Sequence, residues 1–269
     1  MSVDFQTSRS WQSRRLDRKP LRFKALRVPK LKPAIVSPLF GLCCLAADVG
    51  NPERRVEHNV VVSEHDPKVR IELPKPVQYI GGDRFVLLEI ADCELHAFVE
   101  ANGEGKVRRL YWIQFEGYLP TKPELKHTYN SPWHTAIGGL DFYVDVWIRR
   151  QTDKITPGSD AEHLVALLRS KEYKLPGEMM FARLVHLLDK QKRKELMIIY
   201  AEDLASTGFT ADELKKGGKA YDQWPAIKRS LVQRAKNRIR IKNAQFVGAN
   251  PEVPQRCAAR CESGLAIGW

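Results

Sequence analysis

Aromatic side chains concentrate in one short part of this chain, with carboxylates and amides between them. Residues 111–147 hold nine of the 24 aromatic residues. Two strand-like runs in this segment alternate so that rings and polar groups share one face. An apolar-walled concave face with a few polar groups is the usual form of a ligand site. The residues of this predicted ligand face are Trp112, Glu116, Tyr118, Tyr143, Asp145 and Trp147.

A structural interpretation of the same pattern stays open at this point. Tyrosine and tryptophan also occur on half-solvated sheet faces, where cross-strand pairs of rings stabilise the sheet without binding anything.

Histidines give a second hypothesis, centred on residues 119–141. His127 and His134 lie in a proline-rich loop, and Asp141 follows the loop. Two imidazoles and a carboxylate can hold a metal ion or exchange protons, which favours a hydrolytic or metal-assisted enzyme. Their spacing matches no metal or triad motif, so exposed loop histidines are the alternative interpretation. The sequence therefore leaves enzymatic activity undecided but favours a non-enzymatic protein, and we assign neither a metal site nor a cofactor.

A basic C-terminal helix gives a third hypothesis. Residues 223–242 contain seven lysines and arginines and no acidic residue, opposite an apolar stripe. Such a helix can bind anionic surfaces, or it can pack on the core with a solvated charged face.

The absence of known local motifs argues against several enzyme classes. The chain has no P-loop, no G-x-S-x-G elbow, no G-x-G-x-x-G and no H-E-x-x-H motif, which argues against P-loop NTPases, ordinary α/β-hydrolases and the common zinc proteases. Of five cysteines, Cys257 and Cys261 are the candidate disulfide pair in an oxidising compartment.

The periodicities predict an α+β fold with one curved antiparallel sheet of about six to eight strands and helices on one side. A helix over 159–172 follows from a capping box, and a long amphipathic helix is predicted over about 222–240. Gly81-Gly82-Asp83 is predicted as a turn, and residues 119–139 as a loop. Two strands, over 179–188 and 195–200, are favoured over one continuous helix through 180–200.

The N-terminal segment has the layout of an export signal. Residues 1–32 contribute +8 of the formal charge of +12, and an apolar run over 33–47 follows. A start near Val28 would give a signal of ordinary length. An organelle presequence and a basic tail leading into a strand are the alternatives. The predicted organisation is a head over 1–54, a single domain over 55–243 and an irregular tail over 244–269.

Removing residues 1–47 leaves a charge of +4, so nucleic acid is not an expected partner. No apolar run is long enough for a transmembrane segment. The leading hypothesis is an exported, periplasmic or secreted binding or accessory protein that takes a small-molecule or envelope ligand.

Overall fold

The computed structural model describes residues 50–243 of the chain, which contain eleven strands, three α-helices and two short 3₁₀ helices. The strands are β1 (Arg55–Glu57), β2 (Val60–Ser63), β3 (Val69–Glu72), β4 (Gln78–Leu87), β5 (Ala91–Ala101), β6 (Val107–Tyr118), β7 (His134–Ile137), β8 (Leu140–Arg150), β9 (Glu178–Leu187), β10 (Lys194–Asp203) and β11 (Arg240–Asn243). The helices are α1 (Asp160–Ser170), α2 (Ala211–Leu214) and α3 (Trp224–Arg238).

The predicted α+β class and antiparallel pairing are confirmed, but the strands form two sheets rather than one. The larger sheet has the order β4-β5-β6-β10-β9-β8-β7, and the smaller has the order β1-β2-β3-β11. Two strands, β9 and β10, occupy residues 178–203, as predicted. Their hairpin lies between β6 and β8, so neighbours in the centre of the sheet are distant in sequence.

Both faces of the larger sheet are covered, which corrects the expectation of helices on one side. Along β6, Tyr111 and Ile113 belong to a core shared with Leu231 of α3. The alternate residue Trp112 belongs to a second core shared with Leu164 of α1. The smaller sheet packs on the α3 side, because its buried residues join the first core. The predicted ligand face is therefore the α1 side.

The predicted start of the first helix is confirmed by its cap. The Ser159 side chain accepts a hydrogen bond from the backbone N–H of Glu162, and the Glu162 carboxylate accepts one from Gly158 rather than from the cap itself. Thr210 and Glu213 form a complete capping box at α2. The predicted C-terminal helix is present as α3, preceded by a short 3₁₀ turn.

Local predictions failed where glycine or a long loop was ambiguous. The expected turn at Gly81 and Gly82 lies inside β4, where the pairing register with β5 shifts. Gly81 has a φ of 141°, and a side chain on Gly82 would meet the carbonyl oxygen of Leu95, so this irregular stretch requires glycine. The predicted loop over 119–139 ends in the edge strand β7.

Several predictions lie outside the described residues: the signal-like segment over 33–47, the start near Val28, the tail over 244–269 and the Cys257–Cys261 pair. Among residues 50–243, no helix has the length and apolarity needed to cross a bilayer.

Candidate functional site

Two glutamates face each other across neighbouring strands on the α1 side of the larger sheet. Glu116 of β6 and Glu195 of β10 are direct partners in the antiparallel register. Like charges in this position destabilise a sheet. The loop after β6 adds His127, and one ligand atom from each of the three side chains lies within 4.8 Å of the others. Within residues 50–243, these are the three His, Cys, Asp or Glu side chains whose ligand atoms lie close enough together to hold one metal ion.

His127 is held on Glu195. Its Nδ1 lies 2.9 Å from Oε2 of Glu195, and His127 and Glu195 are only 5% and 2% exposed. Burial alone would lower the pKa of His127, but the hydrogen bond and negative charge of Glu195 outweigh it and raise the pKa. The Nε2 atom of His127 is buried and has no hydrogen-bond partner among the described residues.

Glu116 is supported by a hydrogen-bonded chain along its own strand. Trp112 donates its indole N–H to Oε1 of Gln114 over 3.0 Å, and Gln114 donates from Nε2 to Oε2 of Glu116 over 3.0 Å. Burial, followed by the charge of Glu195, raises the pKa of Glu116 to about 7. Near neutral pH, Glu116 is thus a carboxyl poised between its two protonation states.

A third carboxyl reaches the same face from helix α1. Asp160, the first residue of α1, is 2% exposed and accepts a hydrogen bond from the N–H of Ala161 over 2.8 Å. Burial, and then the charge of Glu116, raises the pKa of Asp160 to about 8. The nearby cation is Arg183 of β9, which donates a hydrogen bond to Asp145.

The loop that carries His127 is fixed by Arg193, in the turn between β9 and β10. The Arg193 guanidinium donates to five backbone carbonyls at 2.8–3.2 Å, and the His127 N–H donates to the carbonyl of Lys192 over 2.7 Å. The five carbonyls belong to Tyr118, Leu119, Lys122, Pro123 and Leu125. One side chain therefore replaces the secondary structure that this loop lacks.

Aromatic rings extend from this cluster towards the sheet edge. The His127 ring stacks on Tyr118 at 4.5 Å between centroids, and Tyr129 follows at 6.3 Å from His127. The ring of Tyr143 lies 5.7 Å from that of Tyr129, and His134 lies 4.4 Å beyond. The Tyr129 hydroxyl donates to Oε2 of Glu195 over 2.6 Å.

Comparison with known proteins adds no identity to this geometry. No family model, no curated protein and no solved structure matches this chain.

The residues of the predicted ligand face share one side of the sheet. Trp112, Tyr118, Tyr143 and Trp147 join the core on the α1 side, and Asp145 is the register partner of Arg183. Trp112 is only 3% exposed, so it acts as a core residue, whereas the other three rings are half-buried. Glu116 is the predicted residue that belongs to the three-residue cluster.

The three residues of the enzyme hypothesis are divided between two places. His134 and Asp141 pair with each other at 3.1 Å on the exposed edge of the sheet. His127 pairs instead with Glu195, with the Tyr129 and Tyr143 rings between it and His134. Glu195 is not among the residues predicted from the sequence, although an acidic residue at the start of an apolar strand is a visible signal.

Basic residues of α3 make internal contacts as well as facing outwards. Arg234 pairs with the buried Glu202 at 2.8 Å, and Arg238 pairs with the buried Glu100 at 3.0 Å. Two of the basic side chains of the helix thus neutralise acids at the end of the larger sheet.

Proposed function

We propose that this chain binds a divalent metal ion through Glu116, His127 and Glu195. The observation that carries the proposal is the gathering of their ligand atoms within 4.8 Å of one another in a largely buried place. Two carboxylates and one imidazole suit ions such as Zn²⁺, Mn²⁺ and Fe²⁺.

The register supports this proposal because a metal ion would remove the electrostatic cost of the site. Glu116 and Glu195 are forced opposite each other by strand pairing, and burial strengthens their repulsion. Burial, and then the charge of Glu195, raises the pKa of Glu116 to about 7, so without a bound cation protonation of Glu116 relieves part of this cost. A divalent cation would neutralise both carboxylates at once.

The surroundings of the three residues also fit a metal site. Carboxylates and imidazoles that bind metals are normally oriented by further hydrogen bonds. Here Gln114 holds Glu116, and Tyr129 holds Glu195. His127 has one ring nitrogen on Glu195, while its buried Nε2 has no partner among residues 50–243. The ring nitrogen that faces the carboxylates is Nδ1, so a metal ion shared by the three residues would replace the proton between Nδ1 of His127 and Oε2 of Glu195.

A second candidate function is the binding of a small organic ligand beside this cluster. The half-buried rings of Tyr118, Tyr143 and Trp147 lie on the same face and offer stacking surface next to the polar groups. This retains the binding-protein hypothesis, with a metal ion as the polar anchor. Metal-assisted hydrolysis and export remain further proposals that rest on His127 and on the segment over 33–47, respectively.

Metal titration of the chelator-treated full-length protein tests the metal proposal. We expect calorimetry to show one Zn²⁺ or Mn²⁺ per chain, and we expect Glu195→Gln and His127→Gln each to weaken binding at least tenfold. His134→Gln is the matched control, because His134 also pairs with a carboxylate but lies on the exposed edge. Unchanged affinity in His127→Gln, with loss in His134→Gln, would refute the assignment.

A further inference from the structure

A cleft separate from the Glu116–His127–Glu195 cluster lies between the smaller sheet, the start of β4 and the end of α3. It consists of two adjoining depressions of about 420 and 840 Å³, which share Asn59, Val60 and Lys75. The smaller depression is also lined by Arg238 and Arg240, and the larger by Tyr79. These volumes fall in the range of small-molecule sites.

The smaller depression is positively charged. Its cations are Lys75, Arg238 and Arg240, and its single acid is Glu72. Lys242 already pairs with that acid at 3.0 Å. Arg238 has a partner elsewhere, in Glu100, whereas neither Lys75 nor Arg240 makes an ion pair within residues 50–243. Two exposed cations without an ion-pair partner in residues 50–243 therefore line the smaller depression, while the acids of the cleft, Glu72 and Glu57, are paired with Lys242 and Arg70.

The larger depression offers a fixed aromatic ring. Tyr79 is 38% exposed, one of two large apolar side chains exposed in residues 50–243. Its hydroxyl lies 3.2 Å from Nδ1 of the buried His96, and its ring packs against Phe98 with 4.9 Å between centroids. His96 is in turn held by Glu94 at 2.8 Å. The ring is thus held in place from beneath while part of it stays open to the cleft.

We propose that this cleft binds a nucleotide, with the base against Tyr79 and the phosphate at Lys75 and Arg240. An aromatic ring accepts a base by stacking, and unpaired cations accept phosphate, which is how proteins hold nucleotide units without reading their sequence. Gln78 and Asn59 line the larger depression; Gln78 accepts from the Tyr173 hydroxyl and Asn59 donates to the Leu73 carbonyl, which leaves the Gln78 amide N–H groups and the Asn59 amide oxygen for the edges of the ligand. The cleft and the Glu116–His127–Glu195 cluster involve different residues, so this inference stands apart from the metal proposal.

Equilibrium binding to the full-length protein in EDTA tests the inference without the metal site. The probes are ADP, adenosine, pyrophosphate and a short single-stranded oligonucleotide. We expect saturable binding of ADP that is at least tenfold tighter than that of adenosine or pyrophosphate. If the oligonucleotide binds more tightly than ADP through the same residues, a nucleic acid strand is the source of the nucleotide, and otherwise a free nucleotide is.

Matched variants separate the two halves of the cleft. Lys75→Met/Arg240→Gln should weaken ADP binding at least tenfold, whereas Lys171→Gln, which removes an exposed lysine after α1, should leave it unchanged. Tyr79→Phe keeps the ring but loses the bond to His96, so it should bind within about twofold, while Tyr79→Ala should lose about tenfold. Equal ADP affinity in Tyr79→Ala and Tyr79→Phe, no effect of the double cation variant, or no saturable ADP binding would overturn the inference.

Discussion

Nδ1 of His127 lies 2.9 Å from Oε2 of Glu195, and this contact links the loop after β6 to the start of strand β10. The same oxygen accepts a hydrogen bond of 2.6 Å from the Tyr129 hydroxyl. Glu195 is therefore oriented from two sides by residues of one loop. Tyr129 is not one of the proposed ligands, so the metal site depends in part on a group that does not bind the ion itself.

Removing the Tyr129 hydroxyl should weaken metal binding without unfolding the protein. In Tyr129→Phe, Glu195 keeps the His127 contact but loses its second hydrogen bond. We expect the dissociation constant for Zn²⁺ to rise about 10–100-fold, the usual effect of losing a group that orients a ligand. Calorimetric titration of the chelator-treated protein measures this change.

Tyr143→Phe is the control for that experiment. Tyr143 belongs to the same row of rings, and its ring lies 5.7 Å from that of Tyr129. We expect its metal affinity to match the unaltered protein. An equal loss in both variants would show that the row of rings, and not the hydroxyl on Glu195, determines affinity.

Replacing Arg193 should loosen the loop that carries His127. A lysine at this position cannot donate to five carbonyls in the planar fork geometry of a guanidinium. We expect Arg193→Lys to lower the free energy of unfolding by about 1–3 kcal/mol. Amide exchange in residues 118–127 should accelerate, and metal affinity should fall.

Arg150→Lys serves as the comparison for the loop variant. Arg150 is half-buried like Arg193 and pairs with the carboxylates of Glu178 and Asp212, neither of which belongs to this loop. We expect this variant to leave exchange in residues 118–127 unchanged. Protection of the loop that survives in Arg193→Lys would show that other contacts hold His127.

Asp160 should make stability fall as the pH rises. Its folded pKa of about 8 is above the ordinary value of 3.8, so folding takes up a proton between these two pKa values. Stability contributed by the protonated form is present below pH 4 and is lost progressively as the pH rises towards 8. Asp160→Asn should remove this dependence and raise stability at pH 7 by roughly 2–4 kcal/mol.

Chemical denaturation of the metal-free protein at pH 4, 6 and 8 measures the effect of Asp160→Asn. The two proteins should be equally stable at the lowest pH and diverge above it. Asp222→Asn, at an exposed site before α3, should show no such divergence. A destabilised Asp160→Asn protein at pH 8 would mean that the ionised carboxylate stabilises α1.

Local pattern predicted one part of the site from the sequence. The alternation along β6 put Glu116 and Tyr118 on one face, and the alternation along β8 put Tyr143 there too. The capping residue Ser159 marked the start of α1. These features depend on neighbouring residues, because side-chain direction alternates along a strand and caps act within one turn.

The rest of the site depends on pairing between distant segments. Glu195 meets Glu116 only because the β9–β10 hairpin inserts between β6 and β8 in a particular register. The loop from 119 to 133 has no periodicity, and Arg193 fixes it through backbone carbonyls that any residue supplies. The sequence shows His127 as a candidate and an acidic residue at the start of β10, but no local signal specifies that these two side chains meet.

The strand order also sets when the site can form during synthesis. When the ribosome has completed β8, the edge of β6 that will pair with β10 and the edge of β8 that will pair with β9 are both open. Exposed strand edges of this kind invite association between nascent chains, and pairing across large sequence separations slows folding. The β9–β10 hairpin pairs with the open edges of both β6 and β8, and its strand β10 brings Glu195 opposite Glu116. A chain truncated before residue 194 would lack β10, and with it both Glu195 and the pairing of β10 with β6 and β9. Completion of the sheet and the proposed metal binding therefore depend on the same late step of synthesis.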